Sequence, residues 1–521
     1  MNDRTAQVLD LFVIGGGING TGIANDAAGR GLSVGLCEQG DLAGATSSAS
    51  SKLIHGGLRY LEHREFRLVR EALREREVLL AKAPHIIWPM RFVLPHRPHL
   101  RPAWMLRTGL FLYDHLGKRQ RLAGSRSVRL SAHQGLAAGI TRGFEYSDCW
   151  VDDARLVILN AVQARQHGAE VLVRTRCVDA REVDGLWEVT LEALDSGERL
   201  TRRCRTLVNA AGPWVEQVVR QQAKRTSRYG VRMIQGSHLI VPRLNHDDRA
   251  YILQNTDQRI VFVLPYEDDF SLIGTTDRRF EGDPAQVAAD DEEIDYLLAV
   301  VNAHFRTQLT RDAVIRTFSG VRPLCDDEST DPSAMTRDYT LDLDLQGPPL
   351  LSVFGGKITT YRKLAEAALA ELAPYLPGMT GAWTATTPLP GGDIGDQASF
   401  EMQLLATYPF LDPVQARRYA RSYGSLCHTF LAGKACQADL GPAFGAGLTA
   451  AEVDYLIEHE WARSLQDILW RRTKLALHLN AVQTRRLANY LEERQDEHAG
   501  TISPPTASRT PVASTPRRRS A

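Results

Sequence analysis

Gly15, Gly17 and Gly20 follow the apolar run Val8-Leu9-Asp10-Leu11-Phe12-Val13-Ile14, and Glu38 closes the next one, Leu32-Ser33-Val34-Gly35-Leu36-Cys37. That spacing suits capture of an adenine dinucleotide. Gly15 permits a tight turn from strand to helix, and Gly17 lets the backbone approach a pyrophosphate. Gly20 lets the helix lie close to the sheet with its first amides facing the anion. A carboxylate about 20 residues on, here Glu38, accepts hydrogen bonds from the adenosine ribose and repels a 2′-phosphate. Glycine triplets also occur in turns that bind nothing; the flanking strand, the helix read from Asn19 to Arg30 and the acid set this one apart. Its place near the N-terminus favours FAD over NAD.

The elements that position this motif alternate strand, helix and strand to about residue 40. The stretch Gly44-Ala45-Thr46-Ser47-Ser48-Ala49-Ser50-Ser51-Lys52 then interrupts them. So many small polar residues suggest backbone pressed against something bulky, with Ser47, Ser48, Ser51 and Lys52 facing the cofactor. A charged helix is expected from Glu65 to Ala83, stopped by Pro84. Strand character returns at 170–212, where Thr206-Leu207-Val208-Asn209 ends in Ala210-Ala211-Gly212; small residues at a strand's carboxyl end let a cofactor rest on the backbone. Between 230 and 280 short β-branched runs alternate, and Glu267-Asp268-Asp269 reads as a hairpin turn in an antiparallel substrate sheet. Leu350 to Gly355, then Gly356, Lys357 and Thr359, write a further strand, glycine pair and helix start suited to phosphate. Past the linker Thr387 to Asp393 the chain turns helical, with a capping box at Thr449-Ala450-Ala451-Glu452 and periodic apolar residues from Trp470 to Leu491.

The expected divisions are an FAD-binding domain in three parts (7–90, 150–229 and 320–387) and a connecting, membrane-facing segment (91–149). A substrate-binding β domain (230–319), a C-terminal helical domain (394–499) and a disordered tail (500–521) complete them. A chain of 521 residues exceeds what one core supports. Its 62 basic and 62 acidic residues cancel, so nothing global points to nucleic acid. Seven scattered cysteines, with no C-x-x-C pair, read as reduced cytosolic thiols. No apolar run is long enough to span a bilayer and no signal-peptide pattern opens the chain, so a cytoplasmic protein is expected.

From Ser47 through Leu53-Ile54-His55-Gly56-Gly57-Leu58-Arg59-Tyr60-Leu61 the chain resembles the FAD-dependent, respiratory glycerol-3-phosphate dehydrogenases. Phe144 to Asp153, Ser319-Gly320-Val321-Arg322-Pro323-Leu324 and Phe354 to Lys363 extend the likeness, which covers about residues 8 to 495. In its bacterial form the family it resembles looks like the aerobic type that passes electrons to quinone; the arginine-rich tail has no expected counterpart. The resemblance implies an α/β fold of the glycine-oxidase kind: a Rossmann-like FAD domain, an antiparallel β substrate domain and a C-terminal helical domain. It also implies oxidation of sn-glycerol 3-phosphate to dihydroxyacetone phosphate.

That reaction requires a hydride acceptor, a base and positive charge for a phosphate dianion. Flavin supplies the first. Arg59 and Arg322 suit the phosphate, because a guanidinium makes paired, charge-assisted hydrogen bonds. Arg322 equally suits polarising the reacting hydroxyl, and the sequence leaves both tasks open. His238 and His55 are the candidate bases, His238 preferred because it opens a strand of the substrate domain. Lys357 fits a place where a cation stabilises reduced flavin, and Tyr60, Thr275 and Thr276 are candidate hydroxyl donors to the substrate. No metal pattern stands out.

Quinone lies in the bilayer, and segment 91–121 offers a route to it. Phe92, Val93, Leu94, Trp104, Met105, Leu106, Leu110, Phe111, Leu112 and Tyr113 interleave there with Arg91, Arg97, Arg101, Arg107, Lys118, Arg119 and Arg121. Such a segment suits attachment to anionic lipid on the inner face of the cytoplasmic membrane, with ubiquinone or another membrane quinone as acceptor. Two other readings share these residues: an oxidase passing electrons to oxygen, and a non-catalytic flavin-binding partner protein. Pairing of two copies stays open.

Overall fold

The computed structural model describes residues 7–501 except 63, 98–100, 132–134, 246, 258 and 327–338. Val8–Ile14 is its centre. This strand pairs in parallel with Val34–Glu38 on one side and Arg199–Asn209 on the other. Covered on both faces, it reads as a nearly unbroken apolar run, and Leu11 to Ile14 are all buried. The sheet continues to Glu170–Val173 on one edge and through Leu350–Gly355 to antiparallel Tyr339–Asp344 on the other. The chain therefore leaves Val8–Ile14 on one side and returns on the other, which opens a crevice at the strands' carboxyl ends. Helices Ile18–Gly29, Asp153–Gln166 and Tyr361–Leu372 pack together over this sheet.

A second sheet of ten strands is mostly antiparallel. Val231–Pro242 pairs with Phe270–Gly274 and with Arg316–Cys325, and Glu267 to Asp269 turn the expected hairpin between Ile260–Tyr266 and Phe270–Gly274. Its membership corrects the expected division at residues 91 and 149. Ile87–Pro95 and Arg142–Val151 are strands of this same sheet, joined to it by the parallel pairing of Ile87–Pro95 with Ala250–Gln254. Phe92, Val93 and Leu94 are buried, with Phe92 stacked on Tyr146 at 5.4 Å between ring centres. Arg91 pairs with Glu145 at 3.2 Å. Phe92, Val93 and Leu94 thus face the interior; among the described residues of segment 91–121 the exposed large apolar side chains, Trp104, Phe111 and Leu112, are on helix Ala103–Leu116, whose Leu110 and Tyr113 are buried.

The C-terminal unit packs Gln397–Thr407, Pro413–Ser422, Ala450–Glu460 and the last helix, Ala481–Thr501, around Tyr419, Tyr423, Phe430 and Tyr455. Two expectations are corrected here. Thr449 makes no capping bond; Glu452 instead turns inward, buried, to accept from Arg418 (2.6 Å) and the Tyr423 hydroxyl (2.6 Å). The apolar period from Trp470 to Leu491 is broken by the turn Asp467–Arg472 and by left-handed Lys474 (φ 58°). A new helix starts at Ala481, behind a reciprocal cap in which Asn480 Oδ1 accepts from Gln483 N at 3.0 Å and Gln483 Oε1 from Asn480 N at 2.9 Å. That helix passes the expected boundary at 499, and the tail beyond 501 lies outside the described residues.

Ion pairs join this unit to the dinucleotide sheet. Arg155 meets Glu460 with both side chains fully buried, Arg472 meets Asp41, and Lys474 meets Asp152. Removing one partner of a buried pair leaves the other charge uncompensated. Glu460→Gln is therefore expected to lower unfolding free energy by about 3–5 kcal/mol, read from urea denaturation; a change within about 0.5 kcal/mol would show that water or a neighbour already serves Arg155.

Candidate functional site

Residues of both sheets line a cavity of about 1790 Å³. On the nucleotide side Gly15 has φ 115°, and a Cβ there would meet the Ala210 carbonyl at 2.5 Å. Gly20 does not reach the cavity; it lets the helix sit against the Gly15 carbonyl. Gly17 caps Ile18–Gly29 without a side-chain hydrogen bond, while Ser47 Oγ crosses over to accept from Ile18 N at 3.0 Å. Glu38 accepts from Gly16 N (2.7 Å) and Gly40 N (2.8 Å), and burial raises its carboxyl pKa against those amides. Ser48, Gly212, Gly356 and Lys357 also line the cavity. Thr359 does not: it is buried and its Oγ1 meets the His55 backbone, 3.4 Å from His55 N.

The small-residue loop is pinned on all sides. Lys52 Nζ donates to Asp153 Oδ1 (2.7 Å) and Ser48 O (3.1 Å), and Ser50 Oγ to Asp153 Oδ2 (2.7 Å). Thr46 Oγ1 donates to the Val321 carbonyl at 2.6 Å, which ties the loop to the second sheet. Ser51 Oγ shares a 2.9 Å hydrogen bond with His238 Nε2.

On the other side of the cavity His238 is almost fully buried and stacks on Phe318, 4.8 Å between centres. Burial lowers its pKa well below 6.5, reinforced by the cations of Arg322 and Lys52, so the imidazole is neutral at pH 7. Its Nδ1 has no partner among the described residues. Arg322 is aimed by Asp277 Oδ1 (2.8 Å) and Thr275 Oγ1 (3.0 Å). Lys357 Nζ lies 4.4 Å from the centre of the Tyr60 ring. His55 lines the cavity, with Nδ1 accepting from Gly57 N at 3.1 Å. Thr276 lines the cavity as well; its hydroxyl donates to buried Glu293 at 2.5 Å and accepts from Ser237 N at 2.8 Å. The Arg59 side chain lies outside the described residues.

Phe318, Asp277 and Asn19 are cavity residues that the sequence reading missed. Asp277 directly follows the Thr275-Thr276 pair, and a carboxylate there was the available signal. Asn19 stands at the start of the first helix; its Nδ2 donates to the Gly355 carbonyl at 3.1 Å, while its buried Oδ1 has no partner among the described residues. An orphaned acceptor beside a glycine-lined turn at a helix start fits a bound dinucleotide.

Fold and cavity together define an FAD-dependent oxidoreductase. Residues 10–362 match the FAD dependent oxidoreductase family, and 382–495 match the C-terminal domain of alpha-glycerophosphate oxidase. The chain is 62% identical to the glycerol-3-phosphate dehydrogenase of Pseudomonas aeruginosa, covering 95% of this chain and 96% of that one. It is 54% identical to the D-erythritol 1-phosphate dehydrogenase of Brucella abortus, covering 92% and 96%. A solved structure of the glycerol-3-phosphate dehydrogenase from Bacillus halodurans, complexed with FAD, superposes with a TM-score of 0.74 at 26% identity, covering 96% of this chain and 92% of that one. The chain belongs to the FAD-dependent glycerol-3-phosphate dehydrogenase family.

Gly236 offers a one-methyl test of the site. A Cβ there would lie 2.3 Å from Arg322 Nη2 and 2.6 Å from Thr275 Oγ1. Gly236→Ala is expected to displace the guanidinium and cut kcat/KM by about 100-fold while FAD content, measured by absorbance, stays at parent level; unchanged turnover would mean that the position of Arg322 does not matter.

Proposed function

We propose that this chain oxidises sn-glycerol 3-phosphate to dihydroxyacetone phosphate and delivers the electrons to a membrane quinone. The observation that carries the reading is one cavity wall on which Arg322 stands beside a neutral, buried imidazole, His238. FAD would supply the hydride acceptor. Gly15, Gly17, Glu38, Ser47, Ser48, Gly212, Gly356 and Asn19 would hold it, and Lys357 would offset negative charge on its reduced form. His238 takes the hydroxyl proton, its ring held by Ser51 and Phe318. Arg322, steadied by Asp277 and Thr275, either stabilises the developing alkoxide or binds phosphate beside Arg59 and Tyr60. His55 is the second candidate base. The division into FAD-binding, β substrate and helical domains belongs to the same proposal, its β domain widened to take in Ile87–Pro95 and Arg142–Val151.

The relative that acts on D-erythritol 1-phosphate makes the polyol the point to test. Anaerobic titration with glycerol 3-phosphate is expected to bleach the flavin at concentrations about tenfold lower than D-erythritol 1-phosphate requires. Arg322→Ala should remain yellow and bleach about 100-fold more slowly. Bleaching by the erythritol ester alone would reassign the substrate, and a colourless parent protein would remove the reading.

Membrane attachment is supported by helix Ala103–Leu116. Trp104 is 72% and Phe111 57% exposed, while Trp104, Met105, Leu106 and Leu112 line the cavity mouth. Exposed apolar groups at the mouth of a redox cavity suit a surface lying on lipid, here the inner face of the cytoplasmic membrane, with quinone close to the flavin. No helix among the described residues is long and apolar enough to cross a membrane. Trp104→Glu with Phe111→Glu should lower the fraction floating with anionic vesicles by about tenfold at unchanged activity toward a water-soluble dye; undiminished flotation would place the lipid contact elsewhere.

A further inference from the structure

The C-terminal unit reaches into the cofactor cavity. Gln466, Trp470 and Arg471 line it alongside residues of the dinucleotide sheet. Arg471 Nε donates to Asp41, in the loop that leads from Glu38 to Lys52, and its Nη2 donates to Asp467 Oδ1 at 2.5 Å. Its neighbour Arg472 is fully buried and donates to the same Asp41, Nη2 to Oδ1 2.9 Å. On its other side Trp470 is stacked by Arg316, whose Cζ lies 3.6 Å from a ring centre. Arg316 begins the strand that carries Phe318 and Arg322. A single turn, Asp467–Arg472, therefore touches the nucleotide loop, the substrate sheet and the cavity.

The chemistry of that wall matches a flat, anionic ligand. An indole offers a π face, and a guanidinium offers directed donors for phosphate. Arg174 also meets Asp467, at 2.7 Å, so Asp41 and Asp467 between them hold Arg174, Arg471 and Arg472 in place. Of these three arginines it is Arg471 that lines the cavity, next to Trp470.

We propose that Trp470 and Arg471 are cofactor-positioning residues, so that the C-terminal unit clamps the FAD. A ligand that binds only the docked arrangement stabilises it by mass action, so cofactor affinity and docking of the C-terminal unit rise and fall together. The proposal rests on the FAD assignment and is independent of which alcohol is oxidised and of where the electrons go.

The test dilutes yellow holoenzyme and follows release of flavin fluorescence. Trp470→Ala and Arg471→Gln are expected to raise the dissociation constant for FAD by about tenfold, and Trp470→Phe, which keeps an aromatic face, to recover most of the loss. Arg463→Ala is the control: Arg463 pairs with Asp195 between the same two units, with both side chains about half exposed and neither residue lining the cavity. It should leave FAD affinity at parent level. FAD held as tightly by Trp470→Ala and Arg471→Gln as by the parent would overturn the proposal, as would equal loosening by Arg463→Ala. If Trp470→Ala does not fold, Arg471→Gln and Trp470→Phe, read against Arg463→Ala, decide the matter on the same criterion.

Discussion

A buried ammonium on a buried carboxylate sets the geometry of the whole cavity. Lys52 and Asp153 leave only 5% and 0% of their side chains exposed, and removing such ions from water costs several kcal/mol each unless their bonding is complete. Here it is nearly complete: Asp153 also receives Ser50 Oγ and the Ala154 amide, and Lys52 also reaches Ser48 O. Lys52 adopts φ 57°, a backbone state that a side chain other than glycine's keeps only where its surroundings over-determine it. That fixed bend carries Ser51 to His238. One residue earlier than Asp153, Asp152 caps the same helix through the Arg155 amide and takes Lys474; Arg155 takes Glu460. Three residues at one helix start, Asp152, Asp153 and Arg155, therefore hold the cofactor loop on one side and the C-terminal unit on the other.

What was legible in the sequence and what was not divides along local and long-range causes. The Gly15-x-Gly17-x-x-Gly20 turn and Glu38 are local demands of backbone and anion, so their residue types and spacing carry the message. The strands at 87–95 and 142–151 were not legible as strands, because a strand covered on both faces has no polar alternation and its arginines, Arg91 among them, find partners only across the sheet. Thr449-x-x-Glu452 and Asn480-x-x-Gln483 fit one capping pattern equally well. Arg418 and Tyr423, distant in sequence, claim Glu452, and only the second pair caps a helix. Phe318 was missed for a similar reason: the register that sets it opposite His238 exists only once Val231–Pro242 and Arg316–Cys325 have paired.

Charge and apolarity are sorted within one cavity. Arg322 and Lys357 stand with the imidazole, while Trp104, Met105 and Leu112 form the mouth. Helix Ala103–Leu116 is held to the site by Tyr113, whose hydroxyl accepts from Gly56 N at 2.7 Å and donates to Asp148 at 2.8 Å. Gly56 is the neighbour of His55, so one hydrogen bond separates helix Ala103–Leu116 from a candidate base. A displacement of that helix would be felt at the loop that carries His55.

Six of the seven cysteines are buried, and burial raises the thiols of Cys37, Cys149, Cys177, Cys204 and Cys427, to about 12 for Cys177 and Cys427. Thiolate is the form that reacts with electrophiles and peroxide, so these sulfurs stay inert in the folded chain. Cys436 alone is exposed. The sequence therefore carries one addressable thiol, on the C-terminal unit, where a maleimide spin label or fluorophore would report that unit's movements without any engineered cysteine.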